Sequence, residues 1–114
     1  MNDAQKTFLF DLLNTPSPSG FEVQGQRKWA AYVRQFADSV ESDTYGNAWA
    51  TLKGTAGEGA LKVMLEAHAD EIGFIVNYIS DEGFLHFTQI GGSDRASARS
   101  RRVRIADEGA QDDL

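Results

Sequence analysis

Apolar side chains recur at helical spacing only in the first third of the chain. Between Asp3 and Leu13, Phe8, Leu9, Leu12 and Leu13 share one face, which predicts a short helix. Asn14-Thr15-Pro16 ends it, because a residue before proline is pushed out of the helical region. Ser19-Gly20-Phe21-Glu22 has the form of a capping box. A second helix is predicted after it, from about Gly20 to Phe36, with Trp29, Val33, Phe36 and Ala37 as its buried stripe. The period then changes to two. Val40, Ser42 and Thr44 alternate with polar neighbours, Gly46-Asn47 supplies a turn, and Ala48 to Leu52 returns as a hairpin. Leu61, Val63, Leu65 and Ala67 predict a strand over Leu61–Ala67 after a glycine-rich loop. Ile72–Ser80 and Phe84–Ile90 read as two strands joined by Asp81-Glu82-Gly83, and Arg102–Ala106 as one more.

This order of elements predicts a mixed α/β chain, with two N-terminal helices packed on a mixed sheet. With 114 residues, the chain has room for one ordinary domain. It has no cysteine, which excludes disulfides, thiolate metal sites and a cysteine nucleophile. No basic stretch leads into an apolar run at the N-terminus, and no long apolar run occurs, so no signal peptide or membrane span is expected. The expected location is cytoplasmic. A net charge of −6 argues against a nucleic-acid partner. That charge is uneven. Residues 1 to 92 carry 6 basic and 12 acidic side chains, whereas residues 93 to 114 carry 5 of each. The five basic residues of the second part are all arginine, from Arg95 to Arg104. They read as a solvated face, since no aromatic residue is interleaved to stack bases.

Two segments could carry chemistry. His68-Ala69-Asp70-Glu71 follows directly on the predicted strand Leu61–Ala67, and strand carboxyl ends are where α/β proteins place ligands. Imidazole is a common metal ligand, and a carboxylate two residues on can orient its other nitrogen. A lone His-x-Asp is nevertheless a frequent accident, and the remaining histidine, His86, lies within a predicted strand. The second segment, Thr15 to Glu22, reads first as an interhelical turn. Trp29 and Trp49 read as core or half-buried packing.

Four blocks together are far more specific. TPSPSGFE (Thr15–Glu22), DTYGN (Asp43–Asn47), LKVMLEAHADEIGFIV (Leu61–Val76) and QIGG (Gln89–Gly92) resemble the N-terminal part of the glutamyl aminopeptidase or tetrahedral aminopeptidase family of clan MH. The resemblance covers roughly residues 5 to 92. It implies a di-metal exopeptidase that binds two divalent ions, zinc or cobalt, and releases N-terminal residues from peptides. It carries over two functional residues: His68 as ligand of one ion, and Asp70 as the carboxylate that steers the ligand's imidazole. In such enzymes a Glu from later in the sequence is the general base.

The resemblance also implies an organisation. Residues 1–72 would be the start of the catalytic α/β domain. Residues 73–106 would begin an inserted β-rich domain used for dimer contacts and higher assembly, so the full-length form would be a homo-oligomer. Residues 107–114 would be a polar tail. A full member is much longer, and the other metal ligands would lie beyond Leu114. The chain alone is therefore expected to be inactive and only marginally stable. After Gly92 the pattern departs from the family into an Arg/Ser stretch, which suggests a local reading-frame slip. The alternative reading is a non-catalytic interaction module in which the apolar strands Ile72–Ser80 and Phe84–Ile90 pair with another chain.

Overall fold

The computed structural model describes residues 1–92 and 94–106. The expected polar tail, 107–114, lies outside the described residues. The chain divides into two compact units, Met1–Glu71 and a second that begins at Ile72. Helices and strands are combined as a mixed α/β arrangement, with the strands in two separate antiparallel pairs.

In the first unit, α1 spans Asp3–Leu13, as its apolar spacing predicts. Asn2 caps it: its side chain accepts from the Gln5 amide at 2.8 Å, and the Gln5 side chain accepts from the Asn2 amide at 2.9 Å. This reciprocal pair satisfies two otherwise orphaned donors. At the other end the Asn14 amide side chain donates to the Phe10 carbonyl at 2.7 Å, and the Thr15 hydroxyl to the Asp11 carbonyl at 2.8 Å. Helix α2 spans Val23–Val33, starting later than the expected Gly20. Its N-cap is Glu22, with no side-chain capping bond. The expected capping box does not form because the Ser19 hydroxyl is bonded elsewhere, and Glu22 accepts from the Gly20 amide at 2.6 Å instead. The helices are tied by Phe8 stacked on Tyr32 and by Lys28 Nζ to Asp11 Oδ1 at 2.7 Å.

Strands β1 (Ser39–Ser42) and β2 (Ala48–Thr51) form the predicted hairpin, in the register Val40 opposite Ala50 and Ser42 opposite Ala48. Asp43 closes the turn, accepting from the amides of Tyr45 and Asn47, both at 2.9 Å, and from the Asn47 side chain at 2.8 Å. Such a three-donor carboxylate fixes a tight turn. Val40 and Ala48 turn toward α2, lining one recess with Val23 and Ala30. Of the expected α2 stripe, Val33 is buried and Trp29 half-buried, whereas Phe36 is exposed. Trp49, expected to be core or half-buried, is exposed too, because it lies on the hairpin face opposite Val40. Val33 is the one buried apolar side chain among the described residues.

Leu61–Ala67 is not a strand. The alternation is present, but no described segment pairs with it, and a strand is defined by its ladder. Its apolar side chains are correspondingly open, with Leu65 at 92% exposure.

In the second unit, β3 (Gly73–Ile79) pairs with β4 (Leu85–Ile90). Gly73 faces Ile90, and Val76 faces Phe87; beyond that the register shifts by one, so that Tyr78 faces His86. The extra residue is Asn77, a β-bulge. Its side chain donates to the Thr88 hydroxyl. Arg95–Ala98 forms one 3-10 turn capped by Asp94. Arg102–Ala106 is not a strand either; it also lacks a pairing partner among the described residues.

Candidate functional site

The turn between the helices and the segment ahead of β3 meet within the first unit. Pro18 and Glu71 form a parallel bridge. The Glu71 amide donates to the Ser17 carbonyl at 2.8 Å, and the Ser19 amide to the Glu71 carbonyl at 3.2 Å. Proline is tolerated between them because neither bond needs its missing N–H. The Ser17 amide adds a bond to Glu71 Oε1 at 3.0 Å. Thr15 and Ser17 are buried beneath this seam, each 7% exposed. Two segments more than fifty residues apart are thus held in one register by backbone, not by long flexible side chains.

The register places Asp70 between two partners. The Ser19 hydroxyl donates to Asp70 Oδ2 at 2.5 Å. His68 Nδ1 lies 2.9 Å from Asp70 Oδ1. The Ser19 hydroxyl bond, then the His68 bond and its charge, hold the Asp70 carboxyl below the ordinary carboxylate range against a smaller opposing effect of burial. An ionised carboxylate only accepts. Neutral His68 must therefore carry its proton on Nδ1, which leaves the Nε2 lone pair outward. The His68 side chain is 85% exposed and that of Asp70 41%, so the outward nitrogen faces open space.

These residues are what one coordination position requires: an imidazole with a fixed tautomer and a carboxylate behind it. They do not amount to a whole site. Among the described residues no group of three His, Cys, Asp or Glu could hold a metal ion. The other histidine, His86, sits across the second-unit hairpin from Tyr78, with ring centroids 5.5 Å apart.

Of the two residues singled out from the sequence, His68 and Asp70 are brought into contact. Ser17, Ser19 and Glu71, which bind and align them, lie in the two segments picked out, Thr15–Glu22 and His68–Glu71, but had no individual role at the site assigned to them. Ser19 was legible only as a helix cap, because spacing along the chain shows i to i+3 partners and not partners across fifty residues.

The chain is similar to known proteins in sequence and in fold. Residues 46–112 match the model of the M42 glutamyl aminopeptidase family. A putative aminopeptidase of Acetivibrio thermocellus is 36% identical over 101 residues, covering 85% of this chain and 29% of that protein. Lysyl aminopeptidase of Pyrococcus furiosus is 35% identical over 98 residues, covering 85% of this chain and 27% of that one. Among solved structures, the TET aminopeptidase of a marine sediment Thaumarchaeota archaeon superimposes with a TM-score of 0.72 at 33% identity, over 79% of this chain and 25% of that chain. The chain belongs to the M42 glutamyl aminopeptidase family. It spans less than a third of the length of these relatives.

Proposed function

We propose that this chain is the N-terminal portion of a metal-dependent aminopeptidase that hydrolyses N-terminal residues from peptides. His68 is the ligand of one of two divalent ions, zinc or cobalt, and Asp70 fixes its imidazole. Residues 1–72 belong to the catalytic α/β domain, and residues 73–106 begin an insert through which the whole protein assembles as a homo-oligomer in the cytoplasm. The observation that carries this reading is the His68–Asp70 contact at 2.9 Å, with Nε2 outward, within the segment that matches the family.

A catalytic site takes about three protein ligands to one ion. His68 fills one such position, so the remaining groups come from sequence that this chain does not contain. The isolated 114-residue chain is therefore inactive. Assayed on chromogenic amino-acid anilides with zinc or cobalt, it should release no anilide. Turnover that disappears in His68→Ala would overturn that statement.

The positive test is a graft. Residues 1–92 replace the corresponding segment of the Acetivibrio thermocellus relative, which supplies the rest of its own chain. The graft should cleave the anilides, His68→Ala should abolish turnover, and Asp70→Asn should lower it by about 10–100-fold, the usual effect of losing the group behind a ligand. An active graft indifferent to His68→Ala would refute the assignment.

A further inference from the structure

The geometry points to Ser19 as a positioning residue for His68, acting through Asp70. This inference rests on His68 being the metal ligand, and it deepens that reading by naming what sets the ligand's tautomer. The chain of contacts is short. Ser19 Oγ donates to Asp70 Oδ2, and the other oxygen, Oδ1, is left for His68 Nδ1. A carboxylate that accepts on one oxygen only is free to turn about its last torsion, which is broad and roughly two-fold. Ser19 removes that freedom by occupying Oδ2.

Ser19 is itself fixed from the backbone. Its amide donates to the Glu71 carbonyl, one residue beyond Asp70, so hydroxyl and amide grip adjacent residues of the ligand segment. The Ser17–Glu71 bonds set the same register one step earlier. The Thr15–Gly20 turn is thus a clamp on the segment from His68 to Glu71. The rest of the first unit offers His68 no other hold: its side chain is largely exposed, and its one side-chain partner is Asp70. An exposed imidazole without such a hold exchanges between its two neutral tautomers, and one of them points a proton, not a lone pair, at an incoming ion.

The test reads the tautomer directly, with no metal and no turnover. The full chain, labelled with nitrogen-15 at histidine, is examined by long-range proton–nitrogen correlation at about pH 9, above the ordinary imidazole range. In the wild type His68 Nδ1 should appear as the protonated nitrogen and Nε2 as the bare one. In Ser19→Ala the ratio of the two forms should fall several-fold, on the order of tenfold for a charge-assisted bond lost from the relay. Ser19→Thr keeps the hydroxyl and should restore the wild-type ratio. His86, in the other unit, serves as the internal reference and should not change.

A wild-type chain without a tautomer preference, or a Ser19→Ala chain with an unchanged one, overturns the inference. So does a Ser19→Thr chain that behaves like a chain without the hydroxyl. Should Ser19→Ala lose the turn altogether, seen as loss of protection at the Glu71 amide, the Ser19→Thr result decides alone. The two proposals fail separately. An inactive graft with a Ser19-dependent tautomer refutes the aminopeptidase reading only. An active, His68-dependent graft with a Ser19-independent tautomer refutes only the positioning role.

Discussion

The ring of Phe8 on α1 lies flat against that of Tyr32 on α2, with centroids 3.7 Å apart and planes 5° from parallel. Phe36 then meets Tyr32 edge-on at 5.4 Å. With Val33 the one buried apolar side chain among the described residues, this aromatic line is the main apolar joint between the helices. Phe8→Ala should cost about 1–3 kcal/mol of stability, since a half-buried ring loses both area and stacking. A double-mutant cycle with Tyr32→Leu should show a coupling of about 0.5–1.5 kcal/mol. Urea unfolding of the four proteins measures it, and additive effects would deny the contact.

Gly25 lies in α2 where a Cβ would stand 2.6 Å from Ser17 Oγ. Alanine is the better helix former by about 1 kcal/mol, so the intrinsic expectation for Gly25→Ala is stabilisation. The clash acts the other way, at about 1–3 kcal/mol for overpacking. The expected result is a net loss, localised at the clamp: faster hydrogen exchange at the Ser17 and Glu71 amides than in the rest of α2. A uniformly slower exchange would show that Ser17 moves aside at no cost.

Gly91 and Gly92 are adjacent and should respond differently. Gly91 has φ +76°, and a Cβ there would meet Ile72 Cγ2 at 2.8 Å, whereas a Cβ on Gly92 meets nothing within 4 Å. Ile72 can turn away, but the left-handed backbone still costs an alanine about 1–2 kcal/mol. Gly91→Ala should therefore destabilise the β3–β4 hairpin by at least that amount, and Gly92→Ala by no more than about 0.5 kcal/mol. Protection of the Ser80 amide, which donates across the hairpin to the Phe84 carbonyl at 2.9 Å, reports both. Equal effects would be incompatible with the geometry.

Acid should loosen the β1–β2 turn. The Asn47 side-chain bond, then the amides of Asn47, Tyr45 and Gly46, hold the Asp43 carboxyl below its ordinary range. A carboxyl whose folded value is depressed stabilises the fold fully above its unfolded value, near 3.9 for an ordinary aspartate. That contribution disappears as pH falls from there through the depressed folded value. Carbon-13 titration should place the Asp43 midpoint below that of an aspartate in a short peptide, and Asp43→Ala should remove the acid sensitivity of the turn. A midpoint at or above the peptide value would count against it. Glu82 should shift in the same direction, because the Ser80 side chain bonds it.

Local features of this fold were legible in the sequence and non-local ones were not. Helix α1, the Gly46-Asn47 hairpin and the β3–β4 pair follow from period and turn residues, because each is closed by partners nearby in the chain. Leu61–Ala67 carries as clear an alternation, yet alternation states only which side chains share a face; it cannot supply a neighbour to bond. At the site, His68 and Asp70 were visible because they are two residues apart. Ser19 and Glu71 were not, since the bonds that make them matter join positions more than fifty residues apart. For Ser19 the local rule pointed to a helix cap, and the longer-range acceptor won.

The bulge at Asn77 decides on which side of the second-unit hairpin Tyr78 and Ile79 fall. Strict alternation along β3 would put Phe74, Val76 and Tyr78 together and leave Ile79 on the reverse. The one-residue slip acts as a phase shift. Beyond it Tyr78 faces His86, and Ile79 faces Leu85, so Phe74, Val76, Ile79, Leu85 and Phe87 share one side. The phenol of Tyr78 and the imidazole of His86 go to the other side with Ile75, Thr88 and Ile90. Taking Asn77 into the ladder as an ordinary paired residue would leave the composition of the strand untouched. It would still exchange a phenol for a sec-butyl side chain on each side, so the placement of Tyr78 and Ile79 depends on a single extra residue whose own side chain is spent on Thr88.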